Sequence, residues 1–235
     1  MKSYSNTYIF VFSTIMVVVV AAVLSFTAMQ LQPLQKKNVE INKKQNILSS
    51  LNLESTADNA EELYDKYIEE SYVLNTSGER NEGLDAFSVD MKKELAKEEE
   101  NRNLPMFVSH IDGQNQYIIP VRGKGLWGPI WGYVALKEDM TTVYGTNFSH
   151  KSETPGLGAE IDTKNFQDQF IGKKIFNDEG EFVSVAVLKG GAADPDSPYE
   201  VDGISGGTIT SKGVDAMLED CLSSYKTYFK KHKKE

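Results

Sequence analysis

The sequence predicts an α+β soluble domain behind a single N-terminal membrane helix, and three patterns carry that reading. Residues 8–29 hold no charged side chain, residues 117–149 alternate short β-rich runs with glycine, and the last forty residues repeat apolar side chains at three- and four-residue steps. The first pattern predicts a bilayer-crossing helix, the second an antiparallel sheet, and the third a helix with one face packed on that sheet.

Taken in order, residues 1–7 form a short tail. At a rise of 1.5 Å per residue the 8–29 run reaches about 33 Å, one hydrocarbon core. It is longer than the apolar segment of an ordinary cleaved signal peptide, so a single-pass anchor is expected. Lys2 precedes the run, whereas Lys36, Lys37, Lys43 and Lys44 follow it; that bias alone places the bulk of the chain on the cytoplasmic side. From Leu34 to Leu53 the pattern predicts a helical stalk that continues the membrane helix after Pro33. A second helix is expected over 55–72, with Ala60, Leu63, Tyr64, Tyr67 and Ile68 on one face and Ser55 or Thr56 as its cap. The charge run 92–102 reads as a solvated helix or loop. Residues 30–104 are thus stalk and helical region, and 105–235 the globular domain. Within it, strands are expected at 117–122, 130–136, 141–149 and 182–189. A short helix is expected at 163–171, a Gly/Asp/Pro loop at 190–206 and a final helix from about Ser211. Val214, Met217, Leu218, Cys221, Leu222 and Tyr225 form the inward face of that helix. Trp127 and Trp131 sit in strand surroundings and read as core or as the wall of a site. The lysines at 226, 230, 231, 233 and 234 favourably oppose a helix dipole.

Charge removes one class of function. With 25 Lys and Arg against 34 Asp and Glu, the formal net charge is −9, and no basic face is available to displace counterions from nucleic acid. The lone cysteine, Cys221, makes neither an internal disulfide nor a CxxC site. His110, His150 and His232 are scattered. His150 and Glu153 lie three apart in a turn context that does not aim both at one metal, so they read as isolated surface groups and no metal site is expected.

The segment from Val201 to Thr210, VDGISGGTIT, leads into the final helix. Its glycines permit close backbone approach, and a helix start offers unpaired N–H donors, which together suit a phosphate. Taken by themselves, Thr208, Thr210 and Ser211 read as helix caps. Asp202, Gly203, Ile204, Ser205, Gly206, Gly207 and Thr208 resemble the flavinylation motif of the FMN-binding domain family: Asp, two variable residues, Ser or Thr, Gly, Ala, Thr. Gly207 stands where that family has alanine, an exchange expected to loosen the loop. The resemblance implies FMN held covalently through a phosphoester on Thr208, with Thr210 as a second hydroxyl near the phosphate or the helix cap. Asp202 and Ser205 would serve recognition or acceptor alignment during attachment, and Lys212 would neutralise phosphate charge or simply lie exposed. A second stretch, ETPGLG at 153–158, supplies Glu153, Thr154, Gly156, Leu157 and Gly158 as further cofactor-binding candidates. Pro155 restrains Thr154, the glycines permit a tight turn with exposed N–H groups, and Leu157 can lie against a flavin ring. Without the resemblance the same stretch reads as an ordinary connection.

Two longer runs, RGKGLWGPIWGYVAL at 122–136 and HKSETPGLGAEI at 150–161 followed by FQDQFIGK, resemble the C-subunit family of sodium-translocating NADH:quinone oxidoreductases. The G subunit of the related ferredoxin–NAD complex is the neighbouring resemblance. Either implies an electron carrier in the inner membrane, with other membrane subunits as partners and a flavin transferase using FAD and Mg²⁺ for maturation. It also implies a periplasmic domain, opposite to the lysine count. The sequence holds no NADH fingerprint and no iron–sulfur cysteine cluster, so hydride uptake, quinone reduction and any ion path belong to the partners. A membrane-tethered, non-redox binding module is the alternative reading of the same glycine loops.

Overall fold

The structure, a computed structural model, describes residues 5–232; Lys2, Lys233 and Lys234 lie outside them. The chain divides into two compact units, Met1–Lys43 and Lys44–Glu235. Helix α1 runs over Asn6–Ser50 with Pro33 inside it, so the apolar run and the stalk are one helix. An apolar window within α1 is long enough to cross a membrane, and none of it is buried.

In the second unit the last turns of α1 are followed by α2 (Ala60–Tyr67), which passes without a break into strand β1 (Ile68–Leu74). The expectation of one helix over 55–72 is corrected here. Tyr72, Val73 and Leu74 are buried, and they pair with β2 instead of completing a helical face. The connection 75–103 carries only the four-residue α3 (Met91–Glu94) and 3-10 turns. It returns to β2 (Leu104–Ile111), β3 (Gln114–Lys124), β4 (Pro129–Leu136) and β5 (Val143–His150), forming a five-stranded antiparallel meander in chain order. The expected boundary at 105 therefore falls inside the sheet. Asp112 and Gly113, both at positive φ, join β2 to β3 in a two-residue turn whose twist matches the strands it links.

Side chains alternate across the sheet with the period of a strand. Ile119 and Val121 face one cluster, with Val214, Met217, Leu218 and Leu222. Ile118 faces the other, with Phe107, Tyr133, Ile47 and Leu51. The first cluster includes the helix α5 (Thr208–Ser223), and the second the end of α1. Each buried Leu, Ile or Phe contributes roughly 1.5–3 kcal/mol relative to exposure, so burial on both faces holds the sheet.

After β5 come a 3-10 turn at Gly158–Asp162, α4 (Lys164–Gln167) and a further 3-10 turn at Asp168–Phe170, replacing the single helix expected at 163–171. The strand expected at 182–189 shrinks to β6 (Ala186–Leu188), paired in parallel with β7 (Glu200–Asp202). Ser184 at φ 59° turns the chain just before it, and Phe182 bridges back to Phe176. Helix α5 begins at Thr208 and not near Ser211; α6 (Lys226–His232) follows. All six residues named for the inward face of the last helix are buried.

Candidate functional site

Three loops meet at the N-terminus of α5. The first is the β3–β4 hairpin, closed by Gly125 N–H donating to the Gly128 carbonyl at 2.8 Å. The second is 153–158, folded so that the N–H groups of Leu157 and Ala159 both donate to the Thr154 carbonyl at 3.1 Å. The third is the corner from Gly203 to Thr210. There the Ser211 hydroxyl accepts the Ile204 N–H at 2.9 Å and donates to the Gly207 carbonyl at 3.1 Å. Gly206 sits at φ 77°, a conformation that strains any residue with a Cβ. The loops enclose a cleft of about 230 Å³ lined by Leu126, Glu153, Thr154, Leu157 and Gly158 on one side. Gly206, Gly207, Thr208, Ile209 and Thr210 line the other.

Close contact fixes how α5 meets the sheet. A methyl on Gly123 would come within 2.7 Å of Met217 Cβ, and one on Gly213 would overlap the Lys124 carbonyl. Glycine at both positions lets helix and strand backbones approach. The N-cap of α5 is Gly207, with no side-chain hydrogen bond, so the N–H groups of Thr208, Ile209 and Thr210 have no intrahelical acceptor.

Glu153 is the electrostatic centre of the corner. It is 4% exposed; one carboxylate oxygen accepts the Trp127 N–H at 2.8 Å and the other accepts the Thr210 hydroxyl at 2.5 Å. Burial pushes its pKa up, but the Thr210 hydroxyl and the N–H groups of Trp127, Leu126 and Gly128 outweigh that and hold it below the ordinary value. Its own N–H donates to His150 Nδ1 at 3.1 Å, and His150 Nε2 lies 3.4 Å from Asp162. His150 is therefore not an isolated surface group: it ties the end of β5 to the loop that follows.

The structure brings some of the expected site residues together and separates others. Thr208 is exposed, and its hydroxyl makes no hydrogen bond among the described residues. Thr210 is 1% exposed and bonded inward, so neither threonine is a helix cap. Lys212 is exposed, one turn along α5. Asp202 and Ser205 do not line the cleft; they share a neighbouring groove with Gln169. The Asp202 carboxylate accepts the N–H groups of Ala192 and Ala193 at 3.0 and 3.1 Å, while the Gln169 side chain bonds its backbone N–H and carbonyl. The Gly156 N–H is taken by the Glu160 carboxylate at 2.9 Å and is not open to a ligand. Gly207 is closely packed. A methyl there would lie 3.0 Å from Ile204 Cβ and 3.2 Å from Gly158 N, so the glycine serves close packing.

Trp127 is 66% exposed in the hairpin loop, not in the core, and Trp131 is partly buried in β4 opposite Arg122 and Ser149. The residues expected from the sequence did not include Leu126 and Ile209, which are 46% and 57% exposed. With Leu157 they form the apolar collar of the cleft that Thr208 also lines. A GLWG hairpin tip and an apolar residue directly after the motif threonine were the available signals.

The donor set suits FMN. The uncapped helix start matches a phosphate, the collar offers apolar surface to a ring, and a methyl on Gly206 would meet Leu157 Cδ2 at 2.7 Å, which closes the cradle at that point.

The FMN-binding domain family matches residues 125–223, the stretch that contains all three loops. The C subunit of the Na(+)-translocating NADH-quinone reductase of Haemophilus ducreyi is 35% identical over 209 residues, covering 82% of this chain and 80% of its own. The crystal structure of the corresponding protein from Parabacteroides distasonis is 47% identical, with a TM-score of 0.79, over 85% of this chain and 96% of the other. NqrC of Shewanella oneidensis is 25% identical, with a TM-score of 0.69, over 83% and 99%.

Proposed function

Because the chain belongs to the family of Na(+)-translocating NADH-quinone reductase C subunits, we propose that it is a membrane-anchored electron carrier of such a complex, with FMN esterified to Thr208. The observation that carries the reading is the setting of Thr208: an exposed hydroxyl on the first residue of a helix whose N-cap has no side chain. A phosphoester there would present anionic oxygens to the unpaired N–H groups of the first turn, where the helix dipole favours negative charge. FMN supplies reversible one- and two-electron transfer when bound. Leu126, Leu157 and Ile209 would exclude water from the ring, and the tether would hold its position in either redox state.

Attachment forms a bond from Thr208 Oγ1 to the FMN phosphorus of FAD and breaks the pyrophosphate bond; AMP leaves and the hydroxyl proton departs to a base. No His or Lys lines the cleft to take that proton, which supports a separate Mg²⁺-dependent flavin transferase as the catalyst. Full-length protein co-expressed with a flavin transferase is expected to gain the mass of one FMN less one water on the peptide containing Thr208. Thr208→Val is expected to gain none, and wild-type protein without the adduct would overturn the proposal.

The apolar part of α1 supports an inner-membrane anchor, and membership of the C-subunit family, against the lysine count, supports partner subunits beside it and a domain on the periplasmic side. Cys221 is 1% exposed, and burial pushes its thiol up to about 12, so it stays silent to thiol reagents. A cysteine introduced at the exposed Glu179 is therefore expected to react with a membrane-impermeant maleimide in spheroplasts. Labelling only after lysis would reverse the orientation.

A further inference from the structure

We infer that Glu153 is a positioning residue for flavin attachment, locking Thr210 inward so that Thr208 faces the modifying enzyme. This rests on the assignment of Thr208 as the acceptor and deepens it. The two threonines are chemically alike and two residues apart on the same helical turn, roughly 200° around the axis, so their side chains point to opposite sides. Fixing one fixes the other.

The lock is the Thr210 hydroxyl bond to Glu153, which spans 57 residues of sequence. Its far side is held equally firmly. The carboxylate accepts Trp127 N–H from the hairpin, and the Glu153 backbone donates to His150. Gly158 closes over the pair, and a methyl there would overlap both the Thr210 hydroxyl and the Glu153 carboxylate. Thr210 is thus enclosed and its proton committed, which denies a pyrophosphate any line of approach to its oxygen. Thr208 keeps a free hydroxyl at the surface. Because hydrogen bonds hold Glu153 below the ordinary carboxylate value despite its burial, it is ionised at neutral pH, and its bonds are charge-assisted. Glu153 does this without needing to touch the flavin: its oxygens are spent on the protein.

The test uses the full-length chain, FAD, Mg²⁺ and a flavin transferase, with the initial rate of FMN addition to the Thr208 peptide read by mass. Glu153→Ala and Thr210→Val are expected to slow addition by about fivefold or more, the equivalent of one lost hydrogen bond. Thr210→Ser, which restores the hydroxyl, is expected to return to within about twofold of wild type. Leu218→Ala weakens the same helix away from the lock and is expected to leave the rate unchanged below its melting temperature. That separates positioning from general destabilisation. If Glu153→Ala fails to fold, the two Thr210 variants decide the matter. Addition to Thr210→Val at the wild-type rate, or equal slowing in Leu218→Ala, overturns the role of Glu153 while leaving Thr208 as the acceptor. Wild-type protein unmodified at Thr208 overturns the acceptor assignment itself.

Discussion

The two ends of helix α5 are built to opposite specifications. At the C-terminal end Cys221, Leu222 and Tyr225 are each 1% exposed, the Tyr225 hydroxyl donates to the Pro105 carbonyl at 2.7 Å, and Arg102 pairs with Asp220 at 3.1 Å. At the N-terminal end there is no side-chain cap, and Thr208 and Ile209 face solvent beside two glycines. One end maximises burial and hydrogen bonding. The other leaves donors and a hydroxyl open to solvent, an arrangement suited to a ligand.

Substitutions at the two ends should therefore separate stability from modification. The larger effect is expected from Leu218→Ala in the packed part. Removing a side chain 1% exposed in the main cluster should lower unfolding stability by about 3 kcal/mol in urea titration, with flavin occupancy unchanged in the folded fraction. Equal loss of occupancy would break the comparison. Gly206→Ala at the open end should cost only about 1–2 kcal/mol, from forcing a side chain into a left-handed conformation. It should nevertheless lower occupancy, because its methyl also meets Leu157 in the cradle. Unchanged occupancy in that variant would show that the cradle tolerates a shift of the Leu157 side chain.

Legibility in the sequence followed the same division. The inward face of the closing helix was visible because its members repeat at helical spacing, five of them within α5 and Tyr225 just past its end. Strands β3 to β5 were visible because apolar alternation is interrupted by glycine. Strand β1 was not: IEESYVL carries two glutamates and follows α2 with no glycine or proline between them, so only pairing with β2 reveals it. Glycine at 203, 206 and 207 marked the corner. The partner of Thr210 was hidden, since a carboxylate in a distant loop leaves no periodic trace. The exposure of Trp127 was hidden for a related reason: local context suggests a strand, while the hairpin turn ejects the ring.

The carboxylate of Asp202, outside the cleft lining, fastens the Ala192 and Ala193 backbone, and the Gln169 side chain grips its main chain. A genetic screen scored by colour would record loss at either position in the same way as loss of a contact to the cofactor. Loss of either grip is expected to shift the corner itself, and an assay that reports loop geometry directly would tell that shift from a lost cofactor contact.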